Sequence, residues 1–387
     1  MEKQKLYWLW LTTIYGISNG DITALLEQFD SIEEIYAERD FAAVVNIKPS
    51  IKRALSDKSL KRAEKVLEAT LKTDTKVLTY DDINYPDSLR KIESPPYGLY
   101  VRGEIMNWDR LLSIGVVGTR KCTDYGIAAA KRISSSLAEN GVTIVSGMAR
   151  GIDTVAARAA LDAGNKTIAV LGCGTDIVYP PENSGIMQEI IQNGAVISEY
   201  PPGSPPSAAH FPWRNRIISG LSRGILVAEA PKKSGALITA DYALEQGKDI
   251  FAVPGSIFKE SCEGTNRLIS CCAKAVSSAG DILEEYTFEI ERLQIEKPKG
   301  IKKIFYGKKK EKVNNEIKLT IDDKRFLGLM DDHRVIIALL IESNLHIDDI
   351  KRKSGFDVAK LTSILSMLEF GGFIQKLPGN NYRINLH

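Results

Sequence analysis

Short apolar runs alternate with stretches of helical spacing through the middle of the chain. The runs lie at 112–117, 142–145, 167–171, 195–198, 224–228 and 249–253. Residues with helical spacing lie near 125–139, 152–163, 182–192, 215–221 and 236–246. Continuous apolar strands that alternate with helices are typical of a buried parallel sheet with helices on both faces. The pattern predicts an α/β fold with a doubly wound, mostly parallel sheet.

The two ends of the chain show helical patterns of a different kind. Residues 1–75 look all-helical, with a turn at 16–20 between apolar stretches, which predicts a small domain of the helix-hairpin-helix or SAM-like type. Such a turn can hold a DNA phosphate on its backbone amides, but we favour the alternative of a small domain with a purely packing role. Residues 326–387 contain three helical patterns and a hairpin, which predict a winged helix.

The third of those C-terminal helices carries one basic residue, Lys360, so a protein-contact role competes with DNA recognition there. The stretch before the winged helix is basic, with ten Lys or Arg against four Glu between 291 and 318. We interpret it as a solvated linker that could add phosphate contacts. The predicted organisation is a helical domain at 1–75, a sheet domain at 76–288, a basic linker at 289–325 and a winged helix at 326–387.

Composition narrows the class of protein. The chain has 387 residues, a formal charge of +2 and 44% hydrophobic residues, which excludes a disordered or collagen-like protein. No apolar stretch approaches the roughly 20 residues that span a bilayer, so we expect a cytoplasmic protein without membrane contact. Five cysteines, an odd number without a CxxC pair, indicate reduced thiols rather than a disulfide framework or a zinc site.

The loops after the first three strands are candidate phosphate sites, because ligands of open α/β sheets sit at the carboxyl ends of the strands. In the first loop, Gly118 permits close approach and Arg120 could pair with a phosphate, although a tight turn with a surface arginine is the alternative. The second loop spans 146–153, and we expect Asp153 to cap a helix or orient a neighbouring side chain.

The segment from 198 to 218 contains the most unusual motif. Arg214 and Arg216 flank Asn215 directly before a predicted helix, so guanidinium groups and helix-terminal amides should lie together. Phe211 and Trp213 offer flat faces on which bases could stack, and this combination suits single-stranded nucleic acid. The alternative is that the aromatic residues are core and the arginines form structural ion pairs.

Signatures of catalysis and of nucleotide cofactors are missing from the sequence. Ile177 occupies the place of the third glycine of GxGxxG, and there is no GxxxxGK[ST], GxSxG or HExxH motif. Glu229 is the one plausible buried carboxylate of the sheet domain; it could bind Arg216 or a ligand hydroxyl, or anchor the loop at Ser234 and Gly235. We therefore expect no cofactor, no metal and no enzyme activity.

The motifs together resemble the DNA processing protein A (DprA/Smf) family over roughly residues 78–281. They occur in the order of that family: Gly-Thr-Arg at 118–120, Ser-Gly-Met-Ala-Arg-Gly-Ile-Asp at 146–153, Tyr-Pro-Pro-Glu-Asn at 179–183, Phe-Pro-Trp-Arg-Asn-Arg at 211–216, Ser-Gly-Ala-Leu-Ile-Thr at 234–239, Val-Pro-Gly at 253–255 and Gly-Thr-Asn at 264–266. Several motifs in one order are more specific than any one of them.

The resemblance implies a Rossmann-like domain that binds single-stranded DNA without a nucleotide cofactor. It also implies a homodimer that protects incoming DNA and loads the RecA recombinase during natural transformation. The implied DNA-binding residues are Gly118, Arg120, Ser146, Gly147, Arg150, Gly174, Phe211, Arg214, Asn215, Arg216, Ser234 and Gly235.

One departure from the family and two alternatives bear on these expectations. Cys272 stands where the family usually has glycine, in the segment 264–275 where we expect the dimer contact through Leu268, Ile269 and Cys272. A nucleotide-processing enzyme of the phosphoribohydrolase type is the main alternative, but Leu268 occupies the spacing of its ribose-facing glutamate. A transcription regulator working through the winged helix would leave the glycine-rich domain unexplained.

Overall fold

The computed structural model of the chain describes residues 2–293, 326, 329–342, 344–377 and 381–385. It separates into two compact units, Met1–Ile304 and Phe305–His387. The helices of the first unit are α1 (Glu2–Thr12), α2 (Asn19–Leu26), α3 (Ile32–Ala37), α4 (Pro49–Leu55), α5 (Lys61–Lys72), α6 (Asp87–Arg90), α7 (Asp124–Glu139), α8 (Ile152–Asp162), α9 (Ser184–Asn193), α10 (His210–Gly220), α11 (Gly235–Glu245), α12 (Glu263–Cys271), α13 (Ala279–Leu283) and α14 (Thr287–Arg292). Its strands are β1 (Lys76–Thr79), β2 (Gly98–Gly103), β3 (Ser113–Val117), β4 (Thr143–Ser146), β5 (Thr167–Leu171), β6 (Gly194–Ser198), β7 (Gly224–Val227), β8 (Asp249–Ala252) and β9 (Lys274–Ala275).

The strands form one nine-stranded sheet in the order β1-β2-β6-β5-β4-β3-β7-β8-β9. All pairs from β6 to β9 are parallel, whereas β1 pairs with β2 and β2 with β6 in antiparallel fashion. The six predicted strands are all present, and the predicted α/β class is confirmed. The winding reverses between β3 and β7, because β4, β5 and β6 extend the sheet on one side of β3 and β7 extends it on the other.

Neighbouring residues of the central strands face opposite layers of the core. Ile144 packs in the apolar cluster that includes α7 and α8, whereas Val145 packs in the cluster that includes α10 and α11. This alternation is the pleat of a strand that is covered on both faces. The sheet is therefore fixed from both sides, and its carboxyl edge carries the loops that the sequence singled out.

The N-terminal helices α1 to α5 surround a core of their own, as the pattern of residues 1–75 predicts. Ser18 caps α2 in a reciprocal capping box with Asp21, in which the Ser18 backbone N–H donates to the Asp21 carboxylate at 2.9 Å. The same apolar cluster includes Val77 of β1 and Tyr100 of β2. The predicted boundary between 1–75 and 76–288 stays a prediction, since this core is shared with the edge of the sheet.

The second unit is a small helical domain with a three-stranded sheet. Its helices are α15 (Asp331–Glu342), α16 (Ile347–Ser354) and α17 (Val358–Phe370), and its strands are β10 (Leu345–His346), β11 (Ile374–Leu377) and β12 (Asn381–Ile384). The strand order is β10-β12-β11, and the strand pairs are antiparallel. This is the predicted winged helix. In its third helix, the Lys360 ammonium lies 2.7 Å from the Asp332 carboxylate, so its charge is paired within the domain.

The sequence also predicts a basic linker and no membrane-spanning helix. The linker was predicted at 289–325, and residues 294–325 of it lie outside the described ranges. None of the helices in those ranges combines the length and the apolar character that a bilayer-spanning helix requires.

Candidate nucleic-acid interface

A cleft of about 830 Å³ opens at the carboxyl edge of the sheet, where the winding reverses between β3 and β7. This is the position at which open α/β sheets bind ligands. Three segments provide most of its wall: residues 117–121 after β3, residues between 231 and 239 around the start of α11, and one face of α10. Seven of the predicted site residues line it, namely Gly118, Arg120, Phe211, Arg214, Asn215, Ser234 and Gly235.

The loop after β3 is held against the sheet by Glu229. This carboxylate is fully buried and accepts hydrogen bonds from the Thr123 backbone N–H at 2.8 Å and the Thr123 hydroxyl at 2.7 Å. A Cβ atom on Gly118 would lie 2.5 Å from the Ile152 side chain, so this close approach requires glycine. Of the roles predicted for Glu229, binding to Arg216 and anchoring of the loop at 234–235 are wrong, because its partner is Thr123, at the start of α7.

Three cations at the cleft wall make no hydrogen bond or ion pair within the described part of the chain. The side chains of Arg120, Lys121 and Lys233 are exposed, and none makes a hydrogen bond or an ion pair with the residues that the structure describes. The Arg120 guanidinium lies 5.5 Å from the centre of the Phe211 ring. Tyr179 lines the same wall, and its ring centre lies 5.3 Å from that of Phe211. The wall therefore presents free positive charge beside aromatic faces.

The helix that was predicted near 215–221 begins earlier, at His210. Phe211, Arg214, Asn215 and Ile218 consequently occupy one face of α10, because residues three, four and seven positions apart are neighbours on a helix. That face lines the cleft. The prediction that Arg214 and Arg216 lie together directly before the helix is therefore wrong, because both lie within α10 and their side chains point in nearly opposite directions.

Arg214 is a buried cation at the floor of the cleft. Its guanidinium donates to the Gly147 carbonyl at 2.9 Å and to the Val170 carbonyl, and only 4% of the residue is exposed. Burial lowers the pKa of Arg214 to about 10, and the nearby carboxylate of Asp153 opposes that effect. The Gly147 amide in turn donates to Asp153 at 3.1 Å. Arg214 thus ties the loop after β4 to α10.

Asp153 should make stability depend on pH. Burial raises its pKa to about 6, above the value of roughly 3.9 in an unfolded chain. The folded state then binds the proton more tightly, so the contribution of Asp153 to stability is greatest below pH 4 and is lost as the pH rises through 6. We compare the free energy of unfolding of Asp153→Asn with that of the wild type. This difference should rise in favour of the variant by about 3 kcal/mol between pH 4 and pH 8. Denaturant titrations across this range measure the difference, and a constant difference would contradict the assignment.

Arg216 has a structural environment. Its guanidinium donates to Glu199 at 2.6 Å and to the Ser94 carbonyl at 2.8 Å, and the residue is 2% exposed. The Trp213 ring centre lies 4.2 Å from the guanidinium carbon. Glu199 also accepts a hydrogen bond from the Asn19 side chain at 3.0 Å. Arg216 therefore joins α10 to the start of α2, and it does not line the cleft.

The remaining predicted site residues lie away from the cleft wall. The Ser146 hydroxyl is buried and donates to the Val116 carbonyl at 2.7 Å. Arg150 is exposed and forms an ion pair with Glu182, with a second contact at 3.0 Å. The Gly174 amide donates to the Ser204 carbonyl at 2.9 Å. A DNA-binding role for these residues stays a prediction, and the structure supplies each with a partner inside the chain.

Sequence reasoning missed Lys121 and Lys233 as site residues. The signal was present, since each lies beside a residue that was selected: Lys121 follows Arg120, and Lys233 precedes Ser234. In the part of the chain that the structure describes, no group of three or more His, Cys, Asp or Glu side chains is placed to hold a metal. What the cleft offers is anion binding and stacking.

Comparison with known proteins agrees with the motifs. Residues 76–287 match the family model described as DNA recombination-mediator protein A, and residues 327–380 match the DprA winged helix domain. Protein Smf of Synechocystis sp. is 37% identical over 289 residues, covering 73% of this chain and 72% of that protein. DNA processing protein DprA of Streptococcus pneumoniae is 45% identical over 204 residues, which are 53% of this chain and 72% of that protein.

A solved structure shows the same relationship at the level of the fold. The X-ray structure of DNA processing protein A from Streptococcus pneumoniae superimposes with a TM-score of 0.63 at 36% sequence identity. The match covers 72% of this chain and 97% of that one. The resemblance seen in the sequence motifs is confirmed, and the chain belongs to the DNA recombination-mediator protein A family, also called DprA/Smf.

Proposed function

We propose that this chain binds single-stranded DNA in the cleft, protects it, and loads the RecA recombinase onto it during natural transformation. The observation that carries the proposal is a set of exposed cations, Arg120, Lys121 and Lys233, that form no ion pair with the residues the structure describes and lie beside the aromatic face of Phe211. Cations bind phosphates of any sequence, and ring faces stack on any base. Membership of a family of DNA-processing proteins supports this function.

The recessed position of the aromatic rings favours a single strand over a duplex. The aromatic rings lie in the wall of a recessed cleft, so a base must leave its helical stack to reach them. An unpaired strand meets this requirement at little cost, whereas a duplex has to be unstacked and unpaired first. Fluorescence anisotropy with matched single-stranded and duplex oligonucleotides, each titrated over a range of salt, tests the preference. Equal affinity for both would contradict it.

Delivery to a recombinase is the next prediction. On DNA that is precoated with single-strand-binding protein, we expect the chain to accelerate RecA filament formation at concentrations where it binds DNA. Sequence-tolerant contacts suit a carrier of arbitrary DNA, and the recombinase itself is inferred from the family. Filament growth followed by ATP hydrolysis or electron microscopy measures the effect. No acceleration would refute the mediator role while leaving DNA binding intact.

We expect no turnover of nucleotides by this cleft. Leu268, at the position where a phosphoribohydrolase would carry its glutamate, is 7% exposed and belongs to the core of the sheet domain. The position that would carry the glutamate of a phosphoribohydrolase therefore gives no support to the enzyme alternative. Release of base or phosphate from nucleoside monophosphates or ATP would overturn this expectation.

A homodimer is also part of the proposal, although the predicted contact needs revision. Leu268 and Ile269 pack against the core of their own sheet, so the apolar face of the segment 264–275 is largely used within the chain. A contact there would depend on exposed side chains such as Arg267 and Cys271. Sedimentation at micromolar concentration tests the oligomeric state.

A further inference from the structure

The chain contains four tryptophans, and Trp213 is the exposed one. Its exposed fraction is 36%, whereas Trp8, Trp10 and Trp108 are at most 8% exposed. Trp213 belongs to α10 but does not line the cleft. Its side chain leaves the helix about 160° round from that of Phe211, because successive residues of a helix are about 100° apart. A large ring is therefore open to solvent on the flank of α10 that lies outside the cleft.

The Trp213 ring is held in one orientation by Arg216. The guanidinium carbon lies 4.2 Å from the ring centre, and the guanidinium donates to the Trp213 carbonyl at 3.2 Å. Arg216 is itself fixed by Glu199 and by the Ser94 carbonyl. The cation covers one face of the ring, so the other face is the one that a ligand can reach. A ring that is already fixed loses little conformational entropy when a ligand stacks on it.

A pair of stacked rings lies between Trp213 and the cleft. The ring centres of Tyr200 and His210 are 3.9 Å apart, and the ring planes differ by 15°. Both residues are half-buried, and His210 is the first residue of α10. Around the helix axis, the His210 side chain leaves between those of Phe211 and Trp213. The start of α10 therefore carries aromatic rings from the cleft round to Trp213.

This surface lies far from the segment where we expect the dimer contact. Glu199, the partner of Arg216, directly follows β6, whereas the segment 264–275 ends in β9. Five strands separate β6 from β9 in the sheet, so the two lie roughly 29 Å apart at a spacing of about 4.8 Å per strand. A dimer through that segment would leave Trp213 exposed.

We propose that the open face of Trp213 stacks on a base of the same single strand that occupies the cleft, as a second base-binding position on the other flank of α10. This inference rests on the proposed function. The strand leaves the cleft beside Phe211, crosses the start of α10 over Tyr200 and His210, and reaches Trp213. Every base has a flat face, so the position accepts any sequence. The contact is with a base and not with a phosphate, so it adds affinity without changing the dependence of affinity on salt.

Tryptophan fluorescence of the full chain tests the contact directly. A base that stacks on an indole ring quenches its fluorescence, and the other three tryptophans are buried. We expect an oligothymidylate of about 16 nucleotides to quench the wild type at saturation. Trp213→Phe should abolish the quenching while it keeps a ring for stacking. Trp108→Phe is the matched control, because it removes a buried indole and should leave the quenching unchanged.

Affinity for strands of two lengths locates the contact. Trp213→Ala should weaken binding of this longer strand by about fivefold or more, the lower end of what one stacked base contributes. Binding of an oligothymidylate of about 4 nucleotides, which the cleft can hold alone, should be unchanged and shows that the variant is folded. The dependence of affinity on salt should match the wild type at both lengths, because stacking releases no counterion from a phosphate.

Three results would overturn the inference. They are saturation of the wild type by the longer strand without quenching, quenching that persists in Trp213→Phe, and an equal loss of affinity for both strand lengths in Trp213→Ala. Failure of this inference and failure of the proposed function give different results. If the wild type binds both strands and its fluorescence stays constant, this inference alone fails. If the wild type binds neither strand, the proposed function fails and this inference fails with it.

Discussion

Arg216→Ala is expected to lower the free energy of unfolding by about 3–5 kcal/mol, because it leaves the partner carboxylate of a buried ion pair uncompensated. The Arg216 guanidinium is 2% exposed and lies 2.6 Å from Glu199, whose side chain is 14% exposed. The substitution also frees the Ser94 carbonyl and removes the cation beside Trp213. Denaturant titration at constant pH and salt measures the loss.

A surface ion pair of the same chemistry provides the control. Arg158 lies 2.5 Å from Glu189, but both side chains are about 40% exposed, so Arg158→Ala should cost at most about 1 kcal/mol. A small loss for Arg216→Ala would contradict the structural role. DNA binding gives a second test: the folded Arg216 variant should keep the wild-type dependence of affinity on salt, because this guanidinium is buried and does not line the cleft. A reduced slope would return Arg216 to the list of DNA ligands.

The central sheet was predictable because its strands are buried on both faces. Each parallel strand reads as a continuous apolar run between turn residues, and this signal is local. Strands β1, β2 and β9 were not predicted. The first two pair in antiparallel fashion at one edge, and β9 has only two residues, so their pairing depends on contacts with distant parts of the chain.

The start of α10 shows why the site was only partly predictable. The helix was predicted near 215–221, yet it includes Pro212, because proline is tolerated in the first turn of a helix, where its missing N–H has no partner to lose. Moving the start of the helix to His210 places Arg214 in the cleft and Arg216 on the opposite side. The sequence therefore identified the segment that contributes an arginine to the cleft, but it did not predict that the side chains of Arg214 and Arg216 point to opposite sides of α10. The contact between Glu229 and Thr123 was equally hidden, because 106 residues separate them.

Removing the three free cations should have the largest effect on DNA binding. In the variant Arg120→Ala, Lys121→Ala, Lys233→Ala, each lost phosphate contact should cost about tenfold in affinity, or about a thousandfold in total at low salt. The slope of log affinity against log salt should become shallower by about 2, since a single strand releases roughly 0.7 counterion per phosphate. The fold should tolerate the change, because all three side chains are exposed and unpaired within the described chain.

The matched control removes the same charge from another surface. Lys61, Arg62 and Lys65 are exposed on α5, and their replacement by alanine lowers the net charge equally. Measured at 0.1 M salt, that control should retain nearly all affinity for a single-stranded oligonucleotide, because screening confines the effect of a charge to about 10 Å at this salt concentration. If both variants lose affinity alike, the DNA responds to the overall charge of the chain and the cleft is not its binding site. A loss confined to the cleft variant, with the shallower slope, assigns the phosphate contacts to Arg120, Lys121 and Lys233.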